Sequence, residues 1–287
     1  MIEFNLPEQE FRRRVAQIRA IAFDLDDTLL DSQKVISSRA LCAIHALQER
    51  GVFITICTAR NCSAAQYYAD LIGISGSYSA VSGCQLVDGK SGEILSSTPL
   101  HECDAVAIVR FCLEQNIPFS LSVGHEGYVG GPIELDGVYM NIREKRKKMI
   151  DPIHTLEKLT DPEVLTGKTI YKIVAHSTEH YNELSAFIME QHPTVQCMIT
   201  SKGIVNMFSS CCNKGSGVQQ ISDYMGIPTA QICTFGDYLS DVPMFQVAGL
   251  SVAMGNAMPE VRAQAAAVTG CADEDGVAEF LEAVFLL

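Results

Sequence analysis

The stretch that most restricts what this chain can become is Ile21-Ala22-Phe23-Asp24-Leu25-Asp26-Asp27-Thr28, where an apolar run breaks into three carboxylates. Strands of a parallel sheet are covered on both faces, so they read as short apolar runs with polar residues only at their ends. Residues 21–25 are therefore expected to form a buried parallel strand whose C-terminal end carries a polar site. A helix should follow, because Leu41, Ile44 and Leu47 recur at helical spacing between a capping Ser37 or Ser38 and a terminating Gly51. A second apolar, β-branched run at 52–57 ends at Thr58-Ala59-Arg60, and a second helix over 61–72 stops at Gly73. The same order returns late, with a helix near 215–225, a strand at 230–235, an acidic loop at 236–241, a further helix, a strand at 250–254 and a terminal helix near 275–286. Repeated alternation of this kind defines the α/β class and predicts a Rossmann-like parallel-sheet core with helices on both faces.

Between these halves the pattern changes. From about 86 to 203 the sequence predicts a turn at 88–92, helices near 102–115 and 180–191, and strands near 118–123, 169–175 and 194–200, with a closing strand at 204–209. This is an inserted α+β domain, so the expected division is a core of 1–85 and 204–287 with a cap of 86–203. Spacing agrees, since the 34 residues from Asp24 to Thr58 hold one helix and one strand, whereas the 156 from Thr58 to Lys214 leave room for a domain.

In an open α/β sheet ligands bind beyond the carboxyl ends of the strands, and the polar residues expected there are few. They are Asp24 and Asp26 after the first strand, Thr58 after the second, Lys214 at the start of the helix near 215–225, and Asp237 and Asp241 in the acidic loop. Four carboxylates on one rim repel one another unless a cation joins them, and magnesium suits hard oxygen donors. A phosphoryl group would occupy the rest: Lys214 neutralises it, the Thr58 hydroxyl bonds an oxygen, and the main-chain amides near Leu25 and Asp26 point at the developing charge. A formal charge of −13 argues against a nucleic-acid partner and for small ligands and cations. The eleven cysteines contain no CxxC pair, the N-terminus lacks the basic-then-apolar order of a secretory signal, and no apolar run approaches about eighteen residues. A cytoplasmic protein without zinc, disulfides or membrane insertion is expected.

The motifs now carry a resemblance. FDLDDTLL (23–30) is similar to the DxDxT motif of the haloacid dehalogenase-like hydrolases, CTAR (57–60) to their second motif, NKGSG (213–217) to their lysine motif and GDYLSD (236–241) to their GDxxxD motif. VAMGNA (252–257) and EDGVAEFL (274–281) resemble the Cof-type branch, and the long second gap matches its C2 cap class. The resemblance implies a phosphatase acting on small phosphorylated metabolites, with a cap that closes over the substrate. Asp24 would attack phosphorus and Asp26 would serve as general acid and then base. The Asp24 carboxylate, the Asp26 main-chain carbonyl and the Asp237 carboxylate would hold magnesium, and Asp241 would position metal-bound water or Lys214. Leu25, Thr58, Ala59, Lys214 and Ser240 would contact phosphate. Two departures stand out: Ser240 occupies a position where asparagine is usual, and Ser82-Gly83-Cys84 stands where Asn-Gly-Ala or Asn-Gly-Ser is usual, with a side chain of shorter reach.

Other features fit blander roles. The run Arg143–Lys148 reads as a solvated charged face, His125 as part of a hairpin turn, and Cys211-Cys212 as small apolar filler. Arg60 suits either substrate or an ion pair. A phosphotransferase using the same aspartates, and a non-catalytic binder of phosphometabolites, are the alternative functions.

Overall fold

The computed structural model describes residues 2–124, 126–133, 155–201 and 203–287. They form two compact units, Met1–Ser96 with Asn213–Leu287, and Ser97–Cys212.

The first unit begins with β1 (Glu3–Phe4) and α1 (Glu8–Val15), followed by β2 (Ala20–Phe23), α2 (Ser38–Glu49), β3 (Phe53–Ile56) and α3 (Cys62–Ile72). Strands β4 (Ser77–Ala80), β5 (Gln85–Asp88) and β6 (Ile94–Ser97) form a three-stranded sheet. The second unit contains α4 (Glu102–Glu114), β7 (Phe119–Val123), β8 (Glu126–Gly130), β9 (Thr155–Lys158), β10 (Lys172–Ala175), α5 (Tyr181–Gln191), β11 (Val195–Ser201) and β12 (Ile204–Ser209). The chain then returns to the first unit through α6 (Lys214–Met225), β13 (Ile232–Gly236), α7 (Val242–Val247), β14 (Leu250–Ala253), β15 (Ala267–Val268) and α8 (Gly276–Phe280).

The principal sheet runs β1-β15-β14-β13-β2-β3, parallel throughout except for β1 on β15. Ile21, Ala22, Phe23 and Phe235 are fully buried, which explains why the central strands read as unbroken apolar runs. Register fixes the site. Phe23 pairs with Phe235 on one side and Ile56 on the other, so Asp24, Asp237 and Thr58 emerge along the same edge of the sheet. The helices that follow these strands start and stop where their caps dictate. The Ser37 and Asn61 side chains accept from the Ala40 and Ala64 amides, and Gly73 and Gly226 end α3 and α6 in the left-handed conformation.

In the second unit the sheet order is β11-β12-β10-β7-β8-β9, antiparallel except for β8 on β9. One face is packed by Ile108, Val109 and Cys112 of α4 and by Leu184 and Ile188 of α5, against Phe119, Ile173, Val205 and Met207. This unit differs in its bounds from the expected 86–203. The β5–β6 hairpin pairs with β4 and stays, as far as Ser96, with the first unit, while β12 lies between β11 and β10 and belongs to the second.

The N-terminal β1 and α1 were not signalled by periodicity. They are held by pairing of Glu3 and Phe4 with Val268 and Ala267, and by Phe11, whose ring meets Phe4 at 4.6 Å and Phe280 at 6.3 Å. The terminal helix ends early as an α-helix, and Leu281–Leu286 widens into a π-helix. The turn at 88–92 forms as expected, with the Asp88 carboxylate accepting from the Lys90 and Ser91 amides. His125 and the run at 143–148 lie outside the described residues. None of the eleven cysteines is in a disulfide, and among the described residues no helix is long and apolar enough to cross a membrane.

Candidate active site

At the carboxyl ends of β2 and β13 three side chains form one hydrogen-bonded cluster, which Asp237 joins through its main-chain amide. Lys214, the first residue of α6 and only 2% exposed, donates from Nζ to Asp24 Oδ1 at 2.6 Å and to Asp241 Oδ1 at 2.5 Å. Asp241 is fully buried, and its Oδ2 accepts from the Asp237 and Tyr238 amides at 2.9 Å each. This closes the tight turn that follows β13. The turn requires glycine at its start, since a Cβ on Gly236 would lie 2.5 Å from the Asp241 side chain. Asp237 Oδ1 in turn accepts from the Thr28 hydroxyl at 3.0 Å, tying the acidic loop to the loop after β2.

Carboxylate oxygens of Asp24, Asp237 and Asp241 all lie within 4.8 Å of one another. Burial pushes Asp24 up to about 7 despite Lys214, with the neighbouring Asp241 adding to it. Burial also pushes Asp237 up to about 8, helped by Asp24 and Asp241. Lys214 is lowered by burial and raised by its two carboxylates, and the carboxylates win. Within the cluster one ammonium faces three carboxyl groups, and a divalent cation would favour their ionised forms. The donors are hard oxygens, which suits magnesium or calcium and not a thiolate-seeking metal. With both oxygens of Asp241 already engaged, Asp24 and Asp237 are the side chains better placed to be ligands.

Asp26 lies outside that cluster. Its carboxylate takes two bonds from Arg60, Nε to Oδ2 at 2.8 Å and Nη2 to Oδ1 at 2.7 Å, and a third contact from Lys34 Nζ at 3.0 Å. Burial would raise Asp26, but the two cations outweigh it and hold the carboxyl well below the usual range. Tyr68 of α3 supports both cations, with its ring 5.0 Å from the Arg60 guanidinium and its hydroxyl donating to the Lys34 carbonyl at 3.1 Å. Arg60 thus makes the ion pair that was one of its two sequence readings.

Thr58 is buried at the end of β3, with its hydroxyl accepting from the Arg60 amide at 3.2 Å and its carbonyl from the Ser82 amide at 2.9 Å. Ala59 follows in the same bend. Leu25 is fully buried, so its contribution to a ligand is confined to its main chain. Ser240 is buried within the Leu239–Asp241 turn. Ser82 adopts φ 54° next to Val81 at φ 51°, left-handed conformations that asparagine or glycine takes with less strain, and the Ser82 hydroxyl is buried without a partner among the described residues.

Lys34 and Thr28 gained no role from the sequence. Thr28 lay inside the DxDxT pattern, whereas nothing in the composition of the 31–37 loop marks Lys34 as a partner of Asp26.

A family model described as haloacid dehalogenase-like hydrolase matches residues 21–281. The chain is 28% identical over 277 residues to the 5-amino-6-(5-phospho-D-ribitylamino)uracil phosphatase YitU of Bacillus subtilis, covering 93% of this chain and 97% of that protein. It is also 28% identical over 275 residues to an HMP-PP phosphatase of Yersinia pseudotuberculosis, covering 92% and 94%. Among solved structures, a sugar phosphatase of haloacid dehalogenase subclass IIB superposes with a TM-score of 0.78 over 94% of this chain and 100% of that one. At 21% identity that likeness carries the fold alone.

Proposed function

The chain belongs to the haloacid dehalogenase-like hydrolases, and from that premise we propose that it is a magnesium-dependent phosphatase of small phosphorylated metabolites working through an aspartyl-phosphate on Asp24. The observation that carries the reading is the 2.6 Å bond from buried Lys214 to Asp24 at the end of β2, with Asp237 and Asp241 beside it. A carboxylate nucleophile held next to a fixed cation suits attack on a phosphate ester, whose negative charge the same cation offsets.

In the first step an Asp24 oxygen bonds to phosphorus as the bond to the leaving oxygen breaks, and Asp26 gives that oxygen its proton. In the second step water attacks phosphorus, Asp26 takes the proton, and the Asp24–phosphorus bond breaks to release inorganic phosphate. Lys214 and the Thr58 hydroxyl, with the main-chain amides of Leu25 and Ala59 and the Ser240 side chain, hold the phosphoryl oxygens. Asp24, Asp237 and the Asp26 main-chain carbonyl would hold magnesium, which supplies charge neutralisation when bound. Asp241 anchors Lys214 and the turn after β13. The inserted unit acts as a C2-type cap that selects the leaving group.

The relatives named for 5-amino-6-(5-phospho-D-ribitylamino)uracil and for HMP-PP put these two compounds on the test panel, alongside sugar phosphates, nucleotides, flavin mononucleotide and pyridoxal phosphate. Phosphate release from purified protein with magnesium is the assay. Release from at least one member is expected, and silence across the whole panel contradicts the reading. Measuring phosphate exchange between sugar phosphates in the same samples separates hydrolysis from group transfer.

A further inference from the structure

Asn256 lies in the turn after β14, and that turn is rigidly built. The Met254 amide donates to the Gly236 carbonyl at the end of β13, the Gly255 amide to Gly270, and the Ala257 amide back to Met254, each at 3.0 Å. From this base the Asn256 side chain makes two bonds of opposite sense. Its Nδ2 donates to the Asp27 carbonyl at 2.8 Å, and its Oδ1 accepts from the Ala272 amide at 2.9 Å. A side-chain amide meets both demands, because one partner is an acceptor and the other a donor.

The carbonyl it holds belongs to a strained residue. Asp27 adopts φ 60°, a left-handed conformation that costs a non-glycine residue energy and persists where neighbours enforce it. Asp27 follows Asp26 directly, and on its other side the Thr28 hydroxyl is fixed by Asp237. A second tether joins the same loop to the same C-terminal segment, the Ser32 amide donating to Asp273 Oδ1 at 2.7 Å. The reversal of the chain after Asp26 is therefore gripped from outside the loop, and of the two tethers to the C-terminal segment Asn256 is the one nearer to Asp26.

We propose that Asn256 is a positioning residue: by holding the Asp27 carbonyl it fixes the left-handed turn that aims Asp26, without touching substrate itself. The role rests on the acid–base assignment of Asp26 made above. Its signature is selective. Misplacing an acid matters most when the leaving group is poor, so an alkyl ester should suffer more than an aryl ester, whereas general loosening would slow both equally.

The full-length protein with Asn256→Ala, and separately Asn256→Asp, is compared with wild type on glucose 6-phosphate and on p-nitrophenyl phosphate in magnesium. Both variants should lose about tenfold or more in kcat on the alkyl ester, about threefold or less on the aryl ester, and keep KM within about twofold. Asn256→Asp retains shape and the bond from Ala272 but turns an acceptor toward the Asp27 carbonyl, so it should fail as badly as alanine. Hydrogen exchange gives a reading that does not depend on turnover. The Thr28, Leu29 and Leu30 amides, bonded to Leu25, Asp24 and Leu25 carbonyls, should exchange about tenfold faster in Asn256→Ala. Unchanged exchange at these amides, or equal losses on the two esters, would overturn the proposal. Wild type inactive on both esters and on the whole panel would sink the phosphatase reading instead, and the exchange result would still decide whether Asn256 holds the loop.

Discussion

Arg60 grips Asp26 through two near-parallel hydrogen bonds of 2.8 and 2.7 Å, so the group proposed to give and take the proton is locked in an ion pair. Such a pair favours the ionised carboxylate, the form that accepts a proton from water, and disfavours the form that donates one to a leaving group. Arg60→Gln should therefore raise the proton affinity of Asp26. The limb of the kcat–pH profile that reports Asp26 is expected to move up by about one pH unit or more on an alkyl phosphate. A superimposable profile would mean that Arg60 does not tune Asp26.

Lys214 sits between two buried carboxylates, and its removal leaves both unpaired. Lys214→Met should cost about 3–5 kcal/mol in chelator, measured by denaturant unfolding, because an unpartnered buried charge is expensive. Adding Asp241→Asn to the same chain should recover part of that loss, since one fewer carboxylate then needs a partner. Lys214→Met as stable as wild type would contradict the pairing.

The carboxylates of Asp24 and Asp237 need a hard cation for the proposed chemistry. Chelation should abolish turnover, magnesium should restore it, and calcium should restore it poorly because its larger and looser coordination sphere misplaces the nucleophile. Full activity in excess chelator would remove the metal from the mechanism.

Residues before 21 lie outside the family match, yet Phe11 joins a line of rings that continues through Phe280 and Phe235 to Phe23, beside Asp24. Phe11→Ala should destabilise the protein by about 3 kcal/mol, whereas Phe4→Ala, at a half-exposed ring, should cost clearly less. Equal melting curves for Phe11→Ala and wild type would show that the N-terminal segment is not part of this core.

The parallel core was legible because buried strands and amphipathic helices leave periodic marks: Ile21 to Phe23 read as a strand, and Gly73 and Gly226 closed α3 and α6 where glycine was expected. Strand β1 was invisible, since two residues carry no period and Glu3 and Phe4 are held by pairing with residues more than 260 positions away. The compact units differ in their bounds from the expected insert because pairing, not spacing, assigns a strand to a sheet, as β12 demonstrates. At the site the same division holds. Asp24, Asp237 and Lys214 sit at strand and helix ends that the pattern marks, whereas Lys34 and Asn256 reach their partners from loops whose course only tertiary contacts determine.

The central claim is that Asp24 carries the phosphoryl group and Asp26 moves the proton, and site mapping after rapid quench tests it most directly. Wild type and Asp26→Asn, reacted with a radiolabelled aryl phosphate in magnesium and digested, should both carry label on Asp24. The label should accumulate in Asp26→Asn, whose turnover falls by about 10²–10⁴-fold, and Asp24→Asn should neither label nor turn over. Label on Asp26, or wild-type turnover by Asp24→Asn, would contradict the account.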